Sequence, residues 1–125
     1  MHEHDVVIAG GGPTGLMLAG TDAPMPGVFP GYSLHDELER LVDSGYSPAE
    51  ALRAATLAPA AFLHIDADSG TVATGKRADL VLLDADPLRD IGNARRIDTV
   101  VLDGRVLRRD GIDALLADAA RKAGE

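Results

Sequence analysis

The chain has 125 residues, 46% hydrophobic and 26% charged, and no cysteine, which is ordinary for one modest globular domain and excludes a disulfide scaffold or a thiolate metal site. A net charge of -8 argues against nucleic acid as a partner, because binding a phosphate backbone needs a cationic footprint. Ten of the twelve Lys and Arg residues lie at or after Lys76, but acidic residues are interleaved with them, so they read as solvated faces. No basic-apolar-small leader and no run of about 20 apolar residues is present, so no membrane contact is expected and a cytoplasmic location is.

Residues 5–9, Asp-Val-Val-Ile-Ala, form a short apolar run that enters Gly10-Gly11-Gly12, the pattern of a buried strand followed by a tight loop. Residues 16–19 fit either a helix start or a second buried strand. Residues 21–32 carry Pro24, Pro26, Gly27, Pro30 and Gly31 and read as a loop. Ser33 with Asp36 has the spacing of a capping box, and Leu34, Leu38, Leu41 and Val42 share one helical face, predicting a helix over 34–43 that Gly45 stops. Ser47-Pro48-Ala49-Glu50 supplies an N-cap, an N1 proline and an N3 glutamate for a second helix carrying Leu52, Ala55 and Thr56. Pro59 starts a short third helix that runs through Phe62 and Leu63. Beyond Gly70 strands are expected over 78–83, 97–102 and 105–107, the last two joined by Asp103-Gly104 as a type I′ hairpin turn. Lys76 and Arg77 read as turn residues before the first of these strands. Residues 111–122 form a helix on Ile112, Leu115, Leu116 and Ala119. Core candidates are Phe62, Leu63, Leu80, Leu82, Ile97 and Val101. No internal repeat is visible. Four segments follow: 1–20, 21–64, 65–110 and 111–125.

Gly10, Gly12 and Gly15 spell GxGxxG after a predicted strand, where glycines let backbone N–H groups approach a pyrophosphate. Residues 4–19 resemble the opening of flavin-dependent aromatic hydroxylases, and the resemblance implies a Rossmann-like loop that cradles FAD. A complete site also needs a second parallel strand ending in an acidic residue roughly 20 positions on. Pro24, Pro26 and Pro30 stand there instead, so a plain glycine-rich turn is the competing reading.

From about residue 16 to residue 116 the chain resembles the C-terminal part of imidazolonepropionase-like amidohydrolases. The matching stretches are residues 18–24 (Leu-Ala-Gly-Thr-Asp-Ala-Pro), 47–56, 75–84 (Gly-Lys-Arg-Ala-Asp-Leu-Val-Leu-Leu-Asp) and 100–104. The likeness implies an α/β protein, α+β as an isolated chain. It would hold the final strand and outer helices of a TIM barrel plus part of a small β-sandwich. It also implies metal-dependent hydrolysis of a carbon–nitrogen bond in a small-molecule amide-type substrate, with zinc as the expected divalent metal and Asp22 as its ligand or as the proton relay. Such a carboxylate belongs beside a metal-activated water, and the carboxyl end of a barrel strand is where these sites form. The competing reading is that Asp22 caps the proline-rich turn.

The family's remaining ligands lie on barrel strands that this sequence lacks, so an incomplete, inefficient hydrolase is expected. His2 and His4 alternate onto one side of an extended segment, and an antiparallel return of the chain would bring them near Asp22 as further metal ligands; a frayed terminus is the alternative. His35 stands near the expected site mouth as a substrate contact, or is a partly exposed helix residue. His64 ends the third helix, where its charge suits the dipole. Residues 16–20 fit both resemblances, consistent with a chimeric origin. Exposed apolar faces predict homo-oligomers. The alternatives from other classes are a flavin-binding fragment and a non-catalytic interaction domain that pairs through its sheet edge.

Overall fold

The structure is a computed structural model that describes residues 6–9 and 33–123, with only the backbone of 6–9. His2, His4, Gly10, Gly12, Gly15 and Asp22 lie outside the described residues, as do residues 16–20, expected to form the last barrel strand.

The elements, in order, are β1 (Val6–Ala9), α1 (Ser33–Asp43), α2 (Pro48–Ala55), α3 (Leu57–Phe62), β2 (Leu80–Leu83), a 3-10 helix (Ile91–Arg95), β3 (Ile97–Leu102), β4 (Arg105–Arg108) and α4 (Arg109–Ala123). All strand pairings are antiparallel and the sheet order is β1-β2-β3-β4, so the described residues take the α+β form.

The helical layer follows from the apolar spacing of α1. Leu38 is buried with Ala51 and Ala55 of α2 and with Ile91 and Ala94 of the 3-10 helix, and Leu34, Leu41, Val42 and Leu52 pack around them. The 3-10 helix was not expected. Gly92 and Asn93 are poor helix formers, and the segment is fixed instead by burial of Ile91 and Ala94 and by the Asp90 carboxylate, which accepts from the Gly92 N–H at 2.9 Å.

The two helix starts behave differently. At α2 the capping box forms as expected: the Ser47 hydroxyl accepts from the Glu50 N–H at 3.3 Å, the Glu50 carboxylate accepts from the Ser47 N–H at 2.8 Å, and Pro48 occupies the first helical position. At α1 it does not. Ser33 is itself helical, its hydroxyl is buried without a hydrogen-bond partner among the described residues, and Asp36 is drawn to Arg95 instead of closing back on the helix start.

Helix α3 begins at Leu57, two residues before Pro59. Proline fits there because the N–H groups of a first helical turn have no intrahelical acceptor to lose. Pro59 and Ala60 are its buried residues, so Phe62, 72% exposed, and Leu63, 40% exposed, lie outside the core to which their apolar character assigned them. The helix closes at His64, which takes the left-handed conformation (φ +58°) while Ile65 N–H donates to the Ala60 carbonyl.

The sheet is more regular than its burial is deep. Leu80, Leu82, Ile97 and Val101 are half-buried, while Leu83 of β2 is fully buried beside a register shift at Leu82/Leu83. Strand β2 starts at Leu80, two residues later than expected, because the residues ahead of it have another task. The Ala78 carbonyl accepts from the Gly104 N–H at 3.1 Å, and the Asp79 carboxylate accepts from the Asp103 N–H at 2.7 Å. These bonds latch the β3–β4 turn, in which Asp103 and Gly104 both have positive φ (+49° and +77°), as a type I′ turn requires.

Lys76 does more than turn the chain. Its ammonium donates to the Asp66 carbonyl at 2.5 Å, the Ser69 carbonyl at 3.4 Å and the Thr71 hydroxyl at 2.7 Å, binding the strandless segment between α3 and β2 into one unit.

Strand β1 lends the Rossmann-like expectation no support, and the glycine loop itself lies outside the described residues. The strand pairs antiparallel with β2, Val6 against Leu83 through Ala9 against Leu80, at the outer edge of the sheet. A dinucleotide crevice forms at the carboxyl ends of parallel strands, and β1 has no parallel neighbour among the described residues.

Candidate functional site

The described residue nearest in sequence to the Asp22 loop that carries functional chemistry is His35, in the first turn of α1. It is half-buried, and its Nδ1 is buried with no hydrogen-bond partner among the described residues. Beside it Arg95, from the 3-10 helix, spans two carboxylates of α1: one guanidinium nitrogen donates to Asp36 at 2.5 Å and Nε donates to Glu39 at 2.9 Å. These bonds raise the Arg95 pKa further above its ordinary value. Nearly a full turn of α1, from Asp36 to Glu39, is thereby fixed to a segment more than fifty residues away. Because Arg95 and both acids are substantially exposed, solvent screening holds the stabilising effect to about 1 kcal/mol. Arg95 carried no signal in the sequence, since nothing local pairs it with Asp36 or Glu39.

Burial lowers the His35 pKa from its ordinary 6.5, and the Arg95 charge lowers it further against the opposing pull of Glu39 and Asp36. The unfolded chain therefore takes up this proton more readily than the folded one. The stabilising preference for neutral His35 is complete above pH 6.5 and is lost as the pH falls below it. Urea midpoints between pH 8 and pH 5 are expected to fall less steeply for His35→Gln than for the wild type; parallel slopes would refute this assignment.

Along the same helix a shallow cleft of about 470 Å³ is lined by Glu39, Val42 and Asp43 of α1, Pro48 of α2, and Arg89, Asp90, Ile91 and Gly92. Its acidic groups are partly occupied. Glu39 binds Arg95, and the Asp90 carboxylate caps the 3-10 helix. The cleft contains no nucleophile paired with a base.

A divalent metal does not fit the described residues. No group of three or more His, Cys, Asp or Glu side chains among them is placed to hold an ion. Several of their carboxylates serve the fold instead: Asp36 and Glu39 on Arg95, Asp113 on Arg109, Asp118 on Arg121 and Lys122, and Asp79 on the β3–β4 turn. His35 is the one expected site residue that the structure places, and it is not joined there by a second expected site residue among those described.

Helices α1 to α3, the four-stranded sheet and the Gly-Lys-Arg-Ala-Asp approach to β2 define a class. The chain belongs to the amidohydrolase family, whose sequence pattern matches residues 14–107. Among curated relatives, adenine deaminase 2 of Rhizobium johnstonii is 40% identical over 89 residues, covering 67% of this chain and 14% of that protein. Among solved structures, molinate hydrolase superimposes with a TM-score of 0.62 at 34% identity, over 63% of this chain and 17% of the other. Phenylurea hydrolase B gives a TM-score of 0.60 at 40% identity, over 64% of this chain and 17% of the other. The chain spans 12 to 14% of the length of the curated relatives it matches.

Proposed function

We propose that this chain serves the metal-dependent hydrolysis of a carbon–nitrogen bond in a small-molecule, amide-type substrate, with the Asp22 carboxylate as metal ligand or proton relay. The observation that carries the reading is the family match over residues 14–107, which includes Asp22. The relatives' names supply its substrate range, since an adenine deaminase, a molinate hydrolase and a phenylurea hydrolase are all similar to this chain. The region matched is a small part of each of those proteins. On this reading the 125 residues contribute Asp22 and a helix-and-sheet framework to a larger catalytic unit, and alone give no efficient turnover.

Two experiments separate these claims. Purified full chain and its Asp22→Ala variant, each supplied with zinc or manganese, are assayed for hydrolysis of adenine, molinate and phenylurea, with elemental analysis and an absorbance spectrum of the same samples. The two proteins are expected to behave alike, with well under one metal per chain and no flavin band. Stoichiometric zinc and turnover lost in Asp22→Ala would overturn the dependence on a larger unit. Residues 14–107 are then grafted in place of the matching segment of the Rhizobium johnstonii deaminase. Ammonia release from adenine should persist and fall by at least about 100-fold on Asp22→Ala, the scale of a lost general acid–base. A folded, metal-loaded graft indifferent to that substitution would overturn the catalytic role of Asp22.

A further inference from the structure

Helices α1 to α3 and strands β2 and β3 lie within the residues matched by the family, but α4 begins at Arg109, beyond them. Yet α4 is amphipathic in a way its own sheet does not use up. Ile112, Leu115, Leu116 and Ala119 recur at the spacing of one apolar helical stripe. The N-terminal part of the helix rests on the sheet: Gly111 lies under the Leu107 side chain, and the Arg109 guanidinium donates to the Ile97 carbonyl at 3.0 Å. Further along, Leu115 is 59% and Leu116 43% exposed. Two adjacent leucines left in water near the middle of a helix ask for a cover.

The charges along α4 indicate which cover. Its first half carries Arg109, Asp110 and Asp113 and has a net charge of -1; its second half carries Asp118, Arg121 and Lys122 and has a net charge of +1. Two such helices side by side in antiparallel orientation set each negative half against a positive half, and their macrodipoles also oppose favourably. A parallel pair would set like on like. The stripe has matching symmetry. A twofold axis between Leu115 and Leu116 places Leu115 against Leu116 of the second copy and Ile112 against its Ala119, a self-complementary patch of the kind an isologous dimer requires.

We propose that α4 is a homodimerisation element, and that two copies of this chain associate through antiparallel α4 helices centred on Leu115 and Leu116. A single helix pair of 15 residues buries less than the roughly 1,200 Å² of a stable specific interface, so the association is weak and concentration-dependent. It does not depend on the hydrolytic reading and can be tested without any activity.

The absence of cysteine makes the test clean, because one introduced thiol is unique in the chain. In sedimentation equilibrium the full chain should shift from monomer towards dimer as its concentration rises from micromolar to millimolar, and added salt should weaken the shift. Leu116→Glu should remain monomeric throughout, with an unchanged melting temperature and helical circular dichroism, since the position is exposed. Under mild oxidation Leu115→Cys, beside the axis, should cross-link to itself. Ala119→Cys alone should not, because antiparallel helices carry the two copies of that residue apart, whereas Ile112→Cys combined with Ala119→Cys should. A chain that stays monomeric at millimolar concentration overturns the proposal. So does a dimer that survives Leu116→Glu, which would place the contact at the Phe62 surface or at the β4 edge. Self-linking of Ala119→Cys as fast as Leu115→Cys would show a parallel pair and overturn the antiparallel arrangement.

Discussion

Gly70→Ala should destabilise the protein by about 3 kcal/mol, read as a lower urea midpoint with an unchanged slope. Two costs coincide at this residue. Its φ of +87° belongs to the left-handed region, where a side chain costs about 1–2 kcal/mol. The added Cβ would also stand 2.8 Å from the Cβ of Ala60, 3.2 Å from the Cα of Leu57 and 3.3 Å from the Thr56 carbonyl oxygen. None of these is the far end of a flexible side chain, so α3 must move away from the loop, an overpacking cost of about 1–3 kcal/mol. Gly45→Ala is the matched control. Gly45 also has positive φ (+105°), but a Cβ there meets nothing within 4 Å, so only the conformational part should appear. Equal losses at the two positions would mean that α3 and the loop are not packed as described.

Leu83→Ala should cost a similar amount, about 3 kcal/mol, within the 2–5 kcal/mol of large-to-small changes in closed cores. Leu83 is 0% exposed in a strand flanked on both sides by β1 and β3, and it sits at the register shift, where a bulged backbone has little freedom to collapse into the space. Leu102→Ala, in the adjoining strand but 66% exposed, should stay within about 0.5 kcal/mol. Thermal and urea unfolding of the pair would decide. A loss at Leu102 equal to that at Leu83 would show that the sheet buries its other face. Against the 5–15 kcal/mol typical of a whole domain, either Gly70→Ala or Leu83→Ala removes a large share of the stability.

The readable parts of the sequence were those governed by neighbours. Ser47, Pro48 and Glu50 announce α2 because a capping box is closed within four residues, and Asp103-Gly104 announces the β3–β4 turn because type I′ geometry restricts its residues so severely. Where a distant partner intervened, the same local logic failed. Ser33 and Asp36 have capping-box spacing, but Arg95 takes the Asp36 carboxylate. The 3-10 helix at Ile91–Arg95 has no periodicity to betray it, being held by the apolar sides of α1 and α2. Lys76 read as a turn residue because its acceptors are two carbonyls and a hydroxyl, groups with no sequence signature. The family was legible through motifs at residues 18–24, 47–56 and 75–84, two of which the structure explains as a helix cap and as the latched approach to β2. Of the expected site only His35 lies among the described residues, and the role expected of Asp22 rests on its motif alone.

One feature of the sheet bears on how the chain is made. Strand β2 finds its neighbour β3 within a few tens of residues, but its other neighbour, β1, lies about seventy residues upstream. At synthesis rates of about 5–20 residues per second, β1 leaves the ribosome roughly 4–15 seconds before the strand it pairs with exists. The closed chain between them also carries the largest loop entropy in the sheet. An extended Val-Val-Ile-Ala segment waiting through that interval is open to any other unpaired strand nearby, including its own copy on an adjacent nascent chain. Soluble yield should therefore depend on how crowded the ribosomes are during expression as well as on the stability of the finished protein.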